Sequence, residues 1–65
     1  MGNKQRVFEF LKSYIDENGY PPNYREIGDA LEMHLSTVSY WLDKLEIEGT
    51  IERKPKSARA IRIVG

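Results

Sequence analysis

The chain begins with an amphipathic helical repeat. From Asn3 to Asn18, the apolar residues Val7, Phe8, Phe10, Leu11, Tyr14 and Ile15 recur at i, i+3, i+4 and i+7 spacing. One broad face is therefore apolar, and the pattern predicts a helix over residues 3–18. Asn3 is the expected N-cap, and Asn18-Gly19 the stop, because glycine takes the left-handed conformation that closes a helix. Gly19-Tyr20-Pro21-Pro22 cannot continue it, since each proline pushes the residue before it toward extended backbone. Asn23 followed by Glu26 is a capping-box pattern and starts a second helix over residues 24–31. Ile27, Ala30 and Leu31 are its expected buried stripe, and Gly28 leaves room for another helix to approach closely. Val38, Trp41, Leu42 and Leu45 carry a third helix over residues 35–48, closed by Gly49.

Beyond Gly49 the period falls from 3.6 to 2. Ile51 leads a short strand over residues 51–54, and Pro55-Lys56-Ser57-Ala58 reads as a turn. The stretch from Arg59 to Val64 alternates basic and apolar residues, as a half-buried strand over residues 59–64 should, with Ile61 and Ile63 inward. The fold class is mostly α with a small β-hairpin. Ile27, Leu31, Met33, Val38 and Trp41 or Leu42 are the positions that must pack for the second and third helices to cross. With the helix before and the basic hairpin after, the order is that of a winged helix-turn-helix: three helices and a two-stranded antiparallel wing in a single domain, residues 1–65.

Charge adds a partition that the average conceals. The chain has 65 residues, ten Lys plus Arg, ten Asp plus Glu and a formal net charge of zero. Lys4 and Arg6 give residues 1–6 a charge of +2. All ten acids fall in residues 7–52 against Lys12, Arg25 and Lys44, a charge of −7. Arg53, Lys54, Lys56, Arg59 and Arg62 give residues 53–65 a charge of +5 with no acid. A basic end with strand alternation suggests a wing directed at a polyanion, where a frayed, solvated tail would not keep the alternation.

Several function classes fall away. With no cysteine there is neither a disulfide framework nor a thiolate metal site, and one histidine has no partner for a triad. So short a chain has little room for both a core and an enclosed catalytic pocket. No apolar run approaches the ~20 residues that span a bilayer. The expectation is a soluble cytoplasmic module, not an enzyme, with no cofactor, no metal and no membrane partner.

The residues also resemble a known family, the N-terminal DNA-binding domain of the LexA repressors, over nearly the whole chain. The similarity starts at Val7-Phe8 and Ile15 and is strongest at Gly19-Tyr20-Pro21-Pro22, Arg25-Glu26-Ile27-Gly28 and Ala30-Leu31. It resumes at Ser36-Thr37-Val38, Leu42 and Leu45-Glu46, and ends with Gly49, Ile51 and Arg59-Ala60-Ile61-Arg62-Ile63. The resemblance implies a winged helix, double-stranded operator DNA as ligand and repression by promoter occlusion. The family usually has Gly where Glu32 stands, and Met33-His34-Leu35 replaces a small, polar stretch in a turn about one residue shorter. LexA-type repressors continue into a self-cleaving, dimerising domain. A chain ending at Gly65 is expected to be either an excised domain or a free-standing regulator, without autocleavage.

Within this frame, the third helix presents the expected base-reading residues, Ser36, Thr37, Ser39 and Tyr40. Short polar side chains suit a major groove about 12 Å wide; the alternative for Ser36 and Thr37 is helix capping. No Arg or Asn is placed there for bidentate readout. Backbone contacts are expected from Tyr24 and Arg25 at the second-helix N-terminus, from His34 and Lys44, and from the wing residues Arg53, Lys54, Lys56 and Arg59. Arg25 has the alternative of an ion pair with Asp29, His34 that of a helix cap, and Lys44 that of an ordinary surface lysine. Asp43, Glu46 and Glu48 are expected on a solvated face turned away from DNA, and Trp41 in the core. An inverted-repeat operator is expected, with the chain itself a monomer or weak dimer. The alternative function is a winged-helix protein-interaction module, such as a small anti-repressor, working through the acidic body.

Overall fold

A computed structural model of the chain describes residues 2–53 and 61–64. Its elements follow the order α1 (Asn3–Asn18), α2 (Tyr24–Leu31), α3 (Leu35–Ile47), β1 (Ile51–Arg53) and β2 (Ile61–Ile63). The architecture is a winged helix-turn-helix. Lys54, Pro55, Lys56, Ser57, Ala58, Arg59 and Ala60, which hold the expected turn and much of the wing's charge, lie outside the described residues.

Most helix starts and stops follow local chemistry, but the N-terminus of α1 does not. Gly2, not Asn3, occupies the N-cap of α1, and no side chain caps that end. Asn3 is the first helical residue, and its Oδ1 accepts from Arg6 Nη1 at 3.3 Å. At the other end Gly19 has φ +78° and donates its N–H to Ile15 O at 2.8 Å, closing α1. The α2 capping box is complete. Glu26 N donates to Asn23 Oδ1 and Asn23 N to Glu26 Oε1, both at 2.8 Å. Tyr14 Oη of α1 donates to the remaining Glu26 oxygen at 2.9 Å, so one carboxylate both caps α2 and ties it to α1. The third helix ends one residue before the expected Glu48, which forms its C-cap, and Gly49 follows at φ +79°.

Every element contributes to one core. Val7 and Leu11 of α1, Ile27 of α2, Val38, Leu42 and Leu45 of α3, and Ile51 and Ile61 of the hairpin are buried against one another. Phe8, Phe10, Tyr24, Leu31, Met33, Trp41 and Ile63 pack around them, half-buried. Ala30, expected in the α2 stripe, is exposed, because Ile27 and Gly28 already form the short helix's buried face.

The strands pair antiparallel, with Ile51 opposite Ile63, Glu52 opposite Arg62 and Arg53 opposite Ile61. Cβ atoms alternate across a strand, so Ile51, Arg53, Ile61 and Ile63 share the core-facing side. Glu52 and Arg62 share the outer side, where they form an ion pair of 3.1 Å.

Candidate nucleic-acid interface

Three residues, Glu32, Met33 and His34, separate α2 from α3. The turn is tight because it folds back over Gly28. Met33 N donates to Gly28 O at 2.9 Å, and a Cβ added at Gly28 would lie 2.7 Å from Met33 O and 3.7 Å from Val38 Cγ2. The close approach foreseen at Gly28 is therefore made chiefly by the backbone of the turn and only secondarily by the next helix. Glu32 takes a left-handed conformation, φ +57° and ψ +49°, and its N–H also reaches Gly28 O. That conformation favours glycine.

The turn sets which way α3 faces. Val38, Leu42 and Leu45 point into the core. Helical spacing then places Ser36, Tyr40 and Asp43 on a stripe opposite them, and all three are exposed. Thr37 and Ser39 flank that stripe and are half-buried. Tyr40 is held on the surface from two sides. Its ring meets Trp41 edge-on, with centroids 4.9 Å apart, and Lys44 Nζ sits 5.3 Å from its centroid. Trp41 itself is half-buried against the core.

The chain entering α3 is solvent-facing. His34 is the N-cap residue, but its imidazole makes no capping hydrogen bond; its carbonyl accepts from Val38 N at 3.0 Å. Leu35 is half exposed at the tip of the helix. Arg6 of α1 reaches the same turn, donating from Nη2 to Leu31 O at 3.4 Å where α2 ends in free carbonyls.

At the start of α2, Arg25 is exposed and makes no ion pair with Asp29 or another described residue. Tyr24 is half-buried, and its hydroxyl accepts a hydrogen bond of 2.6 Å from Arg53 Nη1. Arg53 departs furthest from expectation. Nη2 donates to Glu46 Oε1 at 2.8 Å and to Asp43 Oδ1, and Nε donates to Glu46 Oε1 at 3.3 Å. Burial weighs against the guanidinium's charge, but the hydrogen bonds to Glu46, Asp43 and Tyr24 outweigh it and raise its pKa above the ordinary arginine value. Asp43 and Glu46 are therefore not merely solvated; they hold the wing's first strand. Glu48 is likewise paired, with Lys4 at the start of α1.

The structure thus brings Ser36, Thr37, Ser39, Tyr40 and Lys44 together on one helix, with His34 at its N-terminus. Tyr24 and Arg53 meet between α2 and the wing. Lys54, Lys56 and Arg59 lie outside the described residues. Among the described residues no helix is long and apolar enough to cross a membrane.

Comparison with known proteins agrees with this architecture. The family model described as the LexA DNA binding domain matches residues 2–60. The LexA repressor of Listeria welshimeri is 47% identical over 62 residues, covering 94% of this chain and 30% of that protein. The LexA repressor of Finegoldia magna is 46% identical over 59 residues, 89% of this chain and 28% of that protein. The LexA repressor of Clostridium tetani is 45% identical over 64 residues, 95% of this chain and 32% of that protein. The chain thus spans about a third of the length of these curated relatives. With its helix-turn-helix, its paired wing strands and a family match over residues 2–60, this chain belongs to the LexA DNA-binding domain family.

Proposed function

We propose that the chain binds double-stranded DNA sequence-specifically and represses transcription by occupying promoter DNA, without catalysing a reaction. The observation that carries this reading is the polar face of α3 beside a tight turn, where Ser36 and Tyr40 are exposed and Thr37 and Ser39 flank them, half-buried. In the major groove, the hydroxyls would donate to or accept from base edges, and the Thr37 methyl would meet a thymine methyl. The LexA DNA binding domain family supports the same ligand, and the names of the related repressors support repression.

Phosphates would be gripped on both sides of that helix. Arg25 offers a guanidinium that is unpaired among the described residues, at the positive end of α2. Tyr24 Oη, accepting from Arg53, keeps its own proton for a phosphate oxygen. His34 and Lys44 flank α3, and Lys54, Lys56 and Arg59 supply wing charge to the backbone or minor groove. Two copies would occupy an inverted repeat in the cytoplasm, each chain a monomer or weak dimer when free. An acidic protein-interaction surface is less favoured, because Asp43, Glu46, Glu48 and Glu52 are already in ion pairs within the chain.

Selection from a random duplex pool, followed by titration of the selected duplex, tests the reading. A salt slope of about −4 to −5 is expected for roughly 4–6 neutralised phosphates. Lys56→Glu with Arg59→Glu should abolish binding. If the wild-type chain enriches no sequence and binds no duplex at low salt, the proposal fails.

A further inference from the structure

Arg53 is the first residue of the basic C-terminal segment, yet it behaves unlike a surface charge. Its side chain is 19% exposed, against 77% for Arg62 on the other strand. The cause is parity: Arg53 stands two residues after the buried Ile51 and opposite the buried Ile61, so it projects from the core side of the hairpin. There every guanidinium nitrogen donates a hydrogen bond, to Asp43 and Glu46 of α3 and to Tyr24 at the start of α2.

Its acceptors matter as much as its burial. Asp43 lies on the same exposed stripe as Ser36 and Tyr40, two helical turns from the first and one from the second. A carboxylate there faces whatever α3 faces, and Glu46 stands one turn further on. Against a duplex, two unneutralised carboxylates would be repelled by phosphates. Arginine suits the compensating position because its planar fork serves several acceptors and keeps its charge at any ordinary pH.

We propose that Arg53 is a positioning residue and not a phosphate contact: it fastens the wing to α2 and α3 and neutralises Asp43 and Glu46 so that α3 can approach DNA. The proposal rests on the DNA-binding reading above.

A mutant cycle tests it. A duplex selected against the wild-type chain is titrated with wild type, Arg53→Met, the pair Asp43→Asn with Glu46→Gln, and the triple variant, with melting curves recorded in parallel. Arg53→Met should weaken binding by about tenfold or more while the acids are present. In the neutralised background the same substitution should cost less than about threefold. A purely structural arginine would lose affinity only in step with its loss of fold, and would not be rescued this way. Equal losses in both backgrounds overturn the proposal, because Arg53 would then be acting on the phosphates itself. No loss in the acidic background overturns it as well. Should Arg53→Met not fold, the cycle is run with Arg53→Gln, which keeps a hydrogen-bonding side chain but removes the charge, and the same comparison decides. A wild type that binds no duplex sinks the DNA-binding reading and this role with it, whereas a wild type that binds with an additive cycle sinks this role alone.

Discussion

Arg53 and Tyr24 stand 29 residues apart in the chain and meet through a hydrogen bond of 2.6 Å, Nη1–H donating to the phenolic oxygen. The contact joins the first wing strand to the first residue of α2, two elements that share no other side-chain hydrogen bond among the described residues. Tyr24→Phe leaves the ring in place and removes the acceptor. A hydrogen bond to a charged donor contributes about 1.5–3 kcal/mol, so urea unfolding should show a loss at the lower end of that range. An unchanged midpoint would mean that water replaces the phenol at no cost.

Gly28 reverses an ordinary rule. Alanine in a helix interior normally stabilises by roughly 0.5–1 kcal/mol over glycine. Here its Cβ would lie 2.7 Å from the Met33 carbonyl, a backbone atom that cannot swing aside. Gly28→Ala should therefore destabilise by about 1–3 kcal/mol and, by displacing the turn, weaken duplex binding. A more stable Gly28→Ala protein would contradict the packing of the turn.

Glu32 offers the opposite case. It adopts φ +57° with a full side chain, where glycine has no Cβ penalty. Glu32→Gly should raise stability by about 0.5–1 kcal/mol, the relief at the left-handed position exceeding the extra flexibility gained by the unfolded chain. Thermal melting of the two proteins decides the sign.

The α2 cap is doubly secured, and its two halves should not fail equally. Asn23→Ala removes one acceptor and should cost about 1 kcal/mol. Glu26→Ala leaves both the Asn23 N–H and the Tyr14 hydroxyl without this carboxylate and should cost more, up to about 3 kcal/mol. Equal losses in denaturant titrations would show that the Tyr14 link contributes nothing.

Arg25 should act on binding alone. Exposed and unpaired among the described residues, its truncation to alanine should change stability by less than about 0.5 kcal/mol. Binding should weaken similarly for all duplex sequences, and the salt slope should fall by about 0.9. A sequence-dependent loss would instead make Arg25 a base contact.

The helices were legible because their signals are local. The apolar spacing of α1, the Asn23–Glu26 box and Gly19 each act within a few residues, and all three elements appear close to their expected bounds. The departures are also instructive. Asn3 yields the cap to Gly2, a choice between adjacent residues that pattern alone does not resolve. Ala30 fits the apolar stripe by type, but an eight-residue helix buries only a narrow face.

The exposed face of α3 could be read from the sequence as the complement of Val38, Leu42 and Leu45. Arg53 could have been placed as well, since a period of two after Ile51 puts it inward; reading it by charge set it among outward-facing phosphate contacts instead.

By itself the sequence determined which segments are helical, where they start and stop, which side of α3 is polar and how the charge is divided along the chain. These depend on backbone preference and on side chains within a turn of one another. The tertiary structure alone decided what happens to the charges: Arg53 turns to Asp43, Glu46 and Tyr24, Lys4 to Glu48, and Tyr14 to the α2 cap. Ion pairs across many residues depend on how elements cross, and no local rule encodes a crossing. Of the acids counted along the chain, Glu26, Asp43, Glu46 and Glu48 thus serve in the folded protein to tie the wing and helices together.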